Sequence, residues 1–179
     1  MITTHVFIAT SLDGFIARKN RSLDWLPQEE TDGENSGYDA FMDSVDGLIM
    51  GRGSFKTILT FGFWPYKKPV VVLSQSLAQA DIPADLQSKV RLSKSSPTQI
   101  LEELKQEGWQ HVYVDGGLIV QSFLKAGLIE DLIISVIPVL IGEGLSLFGP
   151  LEQDIHLELL NSKSFSTGMI QSHYKVLKP

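Results

Sequence analysis

The residues best suited to chemistry lie in three stretches that each follow an apolar run. Gly116-Gly117 follows His111-Val112-Tyr113-Val114-Asp115, Gly51-Arg52-Gly53-Ser54 follows Gly47-Leu48-Ile49-Met50, and Ser74-Gln75 follows Pro69-Val70-Val71-Val72-Leu73. The chemistry they suggest is anion binding. Arg52 carries a permanent positive charge and a forked set of donors. Ser54 and Ser74 offer hydroxyls. After Gly116-Gly117, the residues Leu118, Ile119, Val120 and Gln121 open a helical pattern. The first amides of such a helix lack intrahelical acceptors and sit at the positive end of its dipole. Each feature also has a plain structural reading. The glycine pair can be a tight strand-to-helix turn, and Arg52 a surface ion pair.

Ligands of open α/β sheets lie beyond the carboxyl ends of the strands. Three such ends on one sheet edge could embrace one extended, multiply phosphorylated ligand, such as a dinucleotide with an extra phosphate. The usual Gly-x-Gly-x-x-Gly fingerprint and Gly-Lys-Ser phosphate loop are both absent from the sequence.

The elements that must position these groups are readable from periodicity. His5 to Thr10 reads as a first strand buried on both faces, ending at Ser11-Leu12-Asp13-Gly14, with Phe15-Ile16-Ala17 returning to apolar character. Arg18 to Arg21 is polar and expected to be exposed. Trp25, ahead of Pro27, is either a core plug or a pocket wall. Glu29 to Gly37 reads as an acidic loop, and Tyr38, Phe41, Met42 and Val45 recur at helical spacing. Ser88 to Leu92 is a further strand candidate. Ser96-Pro97-Thr98-Gln99 is a capped helix start, and Gly108 its stop. Ile129 to Ile141 is long and β-branched, and Pro138 within it implies an edge or a bulge. His156 to Leu160 and Met169 to Leu177 alternate as a closing hairpin around Thr167-Gly168. The expected fold is a single α/β domain over residues 1–179, its sheet parallel early and antiparallel late.

Composition narrows the function. The 179 residues carry a net charge of −6, which argues against extended nucleic-acid binding. There is no cysteine, so disulfides, thiolate catalysis and thiolate-bound metals are excluded. A cysteine-free chain without a membrane-length apolar run or signal pattern fits a cytoplasmic protein. His5, His111, His156 and His173 fall in expected strands without ligand spacing, so no metal is expected.

The order of motifs resembles the dihydrofolate reductase superfamily. It runs Ser11-Leu12-Asp13-Gly14-Phe15-Ile16-Ala17, Asp24-Trp25-Leu26, Met50-Gly51-Arg52-Gly53-Ser54-Phe55, Val72-Leu73-Ser74 and Asp115-Gly116-Gly117. Gly127-Leu128-Ile129-Glu130-Asp131-Leu132, Pro138-Val139-Leu140-Ile141-Gly142 and Leu147-Phe148 bring it closer to one branch. That branch is the reductase domain of bacterial bifunctional riboflavin-biosynthesis proteins and its small stand-alone relatives. The resemblance implies a three-layer α/β/α fold with a C-terminal antiparallel hairpin, and NADPH as hydride donor. It implies that Ala9, Ile16 and Ala17 line the nicotinamide side. Gly51, Arg52, Gly53 and Ser54 would hold phosphates near the adenosine end, with Ser74 and Gln75 by the ribose and its extra phosphate. Gly116, Gly117, Leu118, Ile119 and Val120 would take the pyrophosphate. Trp25 and Tyr38 would line the substrate pocket.

The implied reaction is reduction of a small heterocycle of the 5-amino-6-(5-phosphoribosylamino)uracil type. Dihydrofolate reductases place an acid on the helix after the Trp-Pro loop. Here Asn35 stands nearest that position, with Glu34 beside it and Asp39 one turn onward. An Asn cannot donate a proton to a pterin or pair with it ionically, which argues against a folate substrate. Glu34, Asn35 and Asp39 are the candidates for the catalytic end. The alternatives are a dihydrofolate-type reductase and a nucleotide-binding module without catalysis. A homodimer is expected through the apolar run Leu132 to Leu140.

Overall fold

A computed structural model describes residues 1–27 and 33–178. Residues 29–32 of the expected loop lie outside the described residues. In chain order the elements are β1 (Thr3–Ser11), β2 (Phe15–Ala17), α1 (Tyr38–Ser44), β3 (Gly47–Gly51), α2 (Arg52–Leu59), β4 (Val70–Leu73), β5 (Val90–Ser93), α3 (Pro97–Gln106), β6 (His111–Asp115), α4 (Gly117–Lys125), β7 (Asp131–Ile137), β8 (Leu145–Ser146), β9 (Leu157–Ser164) and β10 (Ile170–Val176).

Side-chain alternation along the strands sorts the core into two layers. Ile49, Val71, Val112 and Val114 point one way and pack with Ile100, Leu101 and Leu104 of α3 and Val120, Phe123 and Leu124 of α4. Leu48, Met50, Val70, Val72 and Tyr113 point the other way and meet Phe55 and Ile58 of α2. Tyr38, Phe41 and Met42 of α1 join that second layer. The result is the three-layer α/β/α fold.

The main sheet has the order β5-β4-β3-β6-β1-β7-β10-β9. The pairings from β5 through β7 are parallel, while β10 runs antiparallel to both β7 and β9. A small second sheet pairs β2 with β8. The α3 start forms as its sequence dictates: the Ser96 side chain accepts from the Gln99 amide, and the Gln99 side chain accepts from the Ser96 amide.

Two expectations are corrected. β1 is not buried on both faces. Val6 and Ile8 are buried, whereas Phe7 and Ala9 on the opposite face are only partly covered and look into a cavity. Pro138 marks neither an edge nor a bulge, because β7 ends at Ile137 and lies between β1 and β10 inside the sheet. Proline cannot donate to a ladder, so the strand stops one residue before it. Within the run Leu132 to Leu140, Leu132, Ile134 and Ile137 are buried in the protein, whereas Pro138 and Leu140 are exposed.

Candidate functional site

Strands β4, β3 and β6 are neighbours and parallel, so their carboxyl ends share one edge. This brings together Ser74 and Gln75, Gly51 to Ser54, and Gly116 and Gly117 around a cavity of about 490 Å³. Leu118 and Ile119 also line it; Val120, buried against the α3–α4 layer, does not. The opposite wall is Gly144, Leu145 and Ser146. That wall is fixed by the β2–β8 pairing and by the Gln121 side chain, which donates to the carbonyls of Ser146 and Leu147 at 3.2 Å each.

Two helix N-termini, those of α2 and α4, open onto this cavity. Their first amides supply donors and partial positive charge. The Arg52 guanidinium donates to the Ser76 hydroxyl at 2.7 Å. The Ser74 hydroxyl accepts from the amides of Ser76 and Leu77 and so shapes the turn that carries Ser76. The Gln75 side chain donates to the Lys94 carbonyl. Among the described lining residues are two arginines, Arg21 and Arg52, and no carboxylate. In a chain of net charge −6 that local balance is favourable to an anion.

The glycine pair has a protein-packing reason as well. Gly116 adopts φ +91, and a Cβ there would lie 2.4 Å from the Ser54 Oγ. A Cβ on Gly117 would lie 2.6 Å from the Ser146 carbonyl oxygen. The space left by the missing side chains is filled by Ser54 and the β8 wall.

A larger cavity, about 690 Å³, adjoins the first on the α1–α2 side. Ile16, Arg21, Gly53, Ser54, Gly116 and Leu145 line both. Its walls are aromatic: Phe7, Trp25, Tyr38, Phe61, Tyr66 and Tyr113. Ala9 and Ala17 face it too. Trp25 joins both of its expected roles, since it lines this cavity and packs on the cluster of Ile137, Phe165 and Met169.

Among the described lining residues the acid is Asp115, at the end of β6. Withdrawal from water pushes its carboxyl above the ordinary carboxylate range, opposed by hydrogen bonds from Tyr113, Ser54 and the Gly116 amide. Burial, followed by the nearby Asp115 and Asp39 charges, pushes the Tyr38 phenol up to about 12. Burial likewise raises Tyr66 and Tyr113, with Asp115 the next cause for each. The tyrosines therefore stay protonated and serve as hydrogen-bond donors, while Asp115 is the described lining carboxyl whose pKa burial raises.

The candidates Glu34, Asn35 and Asp39 are placed elsewhere. Glu34 accepts from the Ser166 amide at 2.7 Å and lies 3.9 Å from Lys163 Nζ; its hydrogen bonds with Ser166, and then the Lys163 charge, lower its pKa. The Asn35 side chain accepts from the Gly37 amide at 2.7 Å, and its carbonyl accepts from Lys163. Asp39 is exposed on α1. None of the three lines the larger cavity; Glu34 and Asn35 instead tie the approach to α1 to the β9–β10 hairpin. Asp115 is visible in the sequence as a carboxylate at a strand end beside Gly-Gly. Arg21 carries no such signal.

The histidines lie away from both cavities. His5 Nδ1 is 2.7 Å from Asp131, whose other oxygen is 3.4 Å from His173 Nε2, and Thr3 Oγ1 links His5 to His111. This network joins strands β1, β6, β7 and β10. His156 precedes β9. Among the described residues no helix is long and apolar enough to cross a membrane.

An α/β/α fold with a mixed sheet, and a cleft where its strand ends open, defines the chain as a dihydrofolate-reductase-like domain. The RibD C-terminal domain family model matches residues 3–171, and the chain belongs to that family. Among curated proteins it is similar to "Uncharacterized protein YwjB" of Bacillus subtilis, 36% identical over 176 residues and covering 96% of each chain. Among solved structures it is similar to a "Putative riboflavin biosynthesis protein" from Shewanella sp. PV-4, with a TM-score of 0.91 and 38% identity over 99% of this chain and 100% of that one. A deaminase/5-amino-6-(5-phosphoribosylamino)uracil reductase from Thermotoga maritima shares the fold at a TM-score of 0.77 and 15% identity, over 98% of this chain and 57% of the other. In family and fold the chain is thus riboflavin-biosynthesis reductase-like.

Proposed function

We propose that the chain is an NADPH-dependent reductase of a small heterocyclic substrate, of the phosphoribosylamino-pyrimidine type or a relative of it. The observation that carries this reading is the pair of abutting cavities. One is lined by two arginines, two helix N-termini and no described carboxylate; the other by aromatic rings and, among the described residues, one acid. Such a pair suits a transfer between an anionic dinucleotide and a flat acceptor.

When bound, NADPH supplies the hydride. Arg52 and Ser76 suit its extra phosphate, and the α4 N-terminus at Gly117 to Ile119 suits its diphosphate. Ile16 and Ala17 would flank the nicotinamide where the cavities meet. In the larger cavity, Trp25, Tyr38, Phe7 and Tyr66 orient a planar ring and exclude water. Asp115 is the proton donor. Its desolvated carboxyl holds a proton at higher pH than a surface acid, and Tyr113 and Ser54 orient it.

The test is consumption of NADPH by purified protein, with a phosphoribosylamino-pyrimidine first and other small imines and carbonyls next. Substrate-dependent oxidation that NADH supports more weakly is the expected result. A protein that binds NADPH but reduces none of these would return the reading to a non-catalytic binding module.

We also propose pairing with a second copy, through β9. All eight residues of this edge strand are exposed, Leu159 and Leu160 by half or more, and an unpaired edge is a template for two-fold antiparallel pairing. Light scattering is expected to give a dimer mass, reduced to the monomer by Leu159→Lys; a monomeric wild type would remove the idea.

A further inference from the structure

Arg21 is the only described non-glycine residue with positive φ, at 71°. Such a backbone is held only when its surroundings enforce it, and it concentrates at functional positions. The enforcement here is dense. The Arg21 amide donates to the Arg18 carbonyl at 2.8 Å, and the Arg18 amide to the Ser22 carbonyl at 3.0 Å. The Ser22 amide donates to Asn20 Oδ1, and both Ser22 Oγ and Arg18 Nε donate to Asp24.

The charges of this turn are unequally used. Arg18 pairs with Asp24 and Lys19 with Glu143. The Arg21 side chain has no hydrogen-bond or ion-pair partner among the described residues. Instead its guanidinium lies over the backbone of Gly53 in the first turn of α2, so close that a Cβ on Gly53 would fall 2.1 Å from Nη1. From there it lines both cavities. The junction thus gathers an exposed guanidinium without a described partner and the first amides of α2, with Gly116 and the start of α4 beside them. A positive field of this kind is complementary to a phosphate.

We infer that Arg21 is a phosphate-binding residue at the meeting point of the two cavities, and that Gly53 is glycine so that the guanidinium can reach it. The phosphate is either the dinucleotide's diphosphate or the terminal phosphate of a phosphorylated substrate. The inference rests on the reductase reading for the first source but not for the second.

The test compares wild type, Arg21→Gly and Gly53→Ala by calorimetric titration with NADPH, NADH and ribose 5-phosphate. Glycine suits φ 71, so Arg21→Gly is expected to fold with an unchanged or raised melting temperature. If the cofactor is the source, Arg21→Gly weakens NADPH and NADH equally, by about tenfold or more. If the substrate is the source, both dinucleotides bind as before and ribose 5-phosphate binding falls by that factor. In either case Gly53→Ala reproduces the loss, and adds nothing in the Arg21→Gly background. Unchanged affinity for all three probes in Arg21→Gly overturns the inference while leaving the reductase reading in place. A wild type that binds ribose 5-phosphate but no dinucleotide overturns the reductase reading, and Arg21 is then judged on the sugar phosphate alone. A wild type that binds none of the probes overturns both.

Discussion

The Tyr113 hydroxyl lies 3.3 Å from Asp115 Oδ1 and 2.7 Å from the carbonyl oxygen of Phe7. A phenol has one proton, and the shorter contact claims it. Tyr113 therefore donates mainly to Phe7 and only weakly to Asp115. That long hydrogen bond does not cancel the upward shift that burial imposes on the Asp115 carboxyl. A strand-end acid with a raised pKa thus sits inside an aromatic cavity.

Asp115→Asn is expected to lower kcat by about 100-fold or more while dinucleotide affinity stays within about twofold. Stability moves the other way. An acid whose pKa is raised on folding supports the fold most below its ordinary value of 3.8, and that support is lost as pH rises through the raised value. Removing the charge therefore raises the melting temperature near neutral pH, and the gain shrinks toward pH 4. Melting curves across that range, beside steady-state rates, check both halves. A variant as active as wild type would end the assignment of Asp115 as donor.

Arg52 donates to a neutral hydroxyl, that of Ser76, so its charge is available to a ligand. Arg52→Ala is expected to weaken NADPH by about tenfold or more and NADH much less, because a charge-assisted bond is worth about 1.5–3 kcal/mol. Ser76→Ala, which frees rather than removes the guanidinium, should cost less. Titration of both cofactors reads the ratio, and an unchanged ratio removes Arg52 from the extra phosphate.

Much of the fold is legible before any coordinates. The capping box at Ser96 and the glycine-punctuated strand ends depend on neighbours in sequence, and there local chemistry decides the outcome. Pro138 misleads because a proline just past a strand and one within it look alike in one dimension. The strand-end residues around the smaller cavity are legible because topology gathers such ends on one edge. Which acid lines the larger cavity is not legible by counting along the chain toward α1. Asn35 and Glu34 are spent on Gly37, Lys163 and Ser166, and the pairing of residue 34 with residue 166 is a tertiary fact. Arg21 is hidden for the same reason: in sequence it is one more cation in a polar run.

Asp39 and Glu34 give the complementary prediction. Asp39→Asn should leave kcat within about twofold, since the carboxyl is exposed and outside the cavity. Glu34→Gln should leave chemistry alone but loosen the grip on the β9–β10 loop at Ser166. Because its pKa is lowered in the fold, the Glu34 contribution is present above about 4.5 and lost as pH falls through the lowered value. Kinetics joined to amide exchange at Ser166 separates the two roles. A large kcat loss in either variant would restore the acid to the approach of α1.

The glycine pair offers the sharpest structural test. Gly116→Ala must place a side chain at φ +91 and within 2.4 Å of the Ser54 Oγ, which can rotate away. Gly117→Ala meets the Ser146 carbonyl oxygen at 2.6 Å, and backbone held by the β2–β8 pairing and by Gln121 cannot rotate. Both variants should lose about 1–3 kcal/mol in urea unfolding. They should differ in what they do to the site. Gly116→Ala disturbs Ser54 and with it the hydrogen bonding of Asp115, so kcat falls more than cofactor affinity. Gly117→Ala is expected to push the α4 N-terminus away from the Gly144–Ser146 wall and widen the smaller cavity, so that cofactor affinity falls more than kcat. Equal effects of the two substitutions on both parameters would mean that the glycines serve the fold alone, and that the amides at the start of α4 hold no ligand.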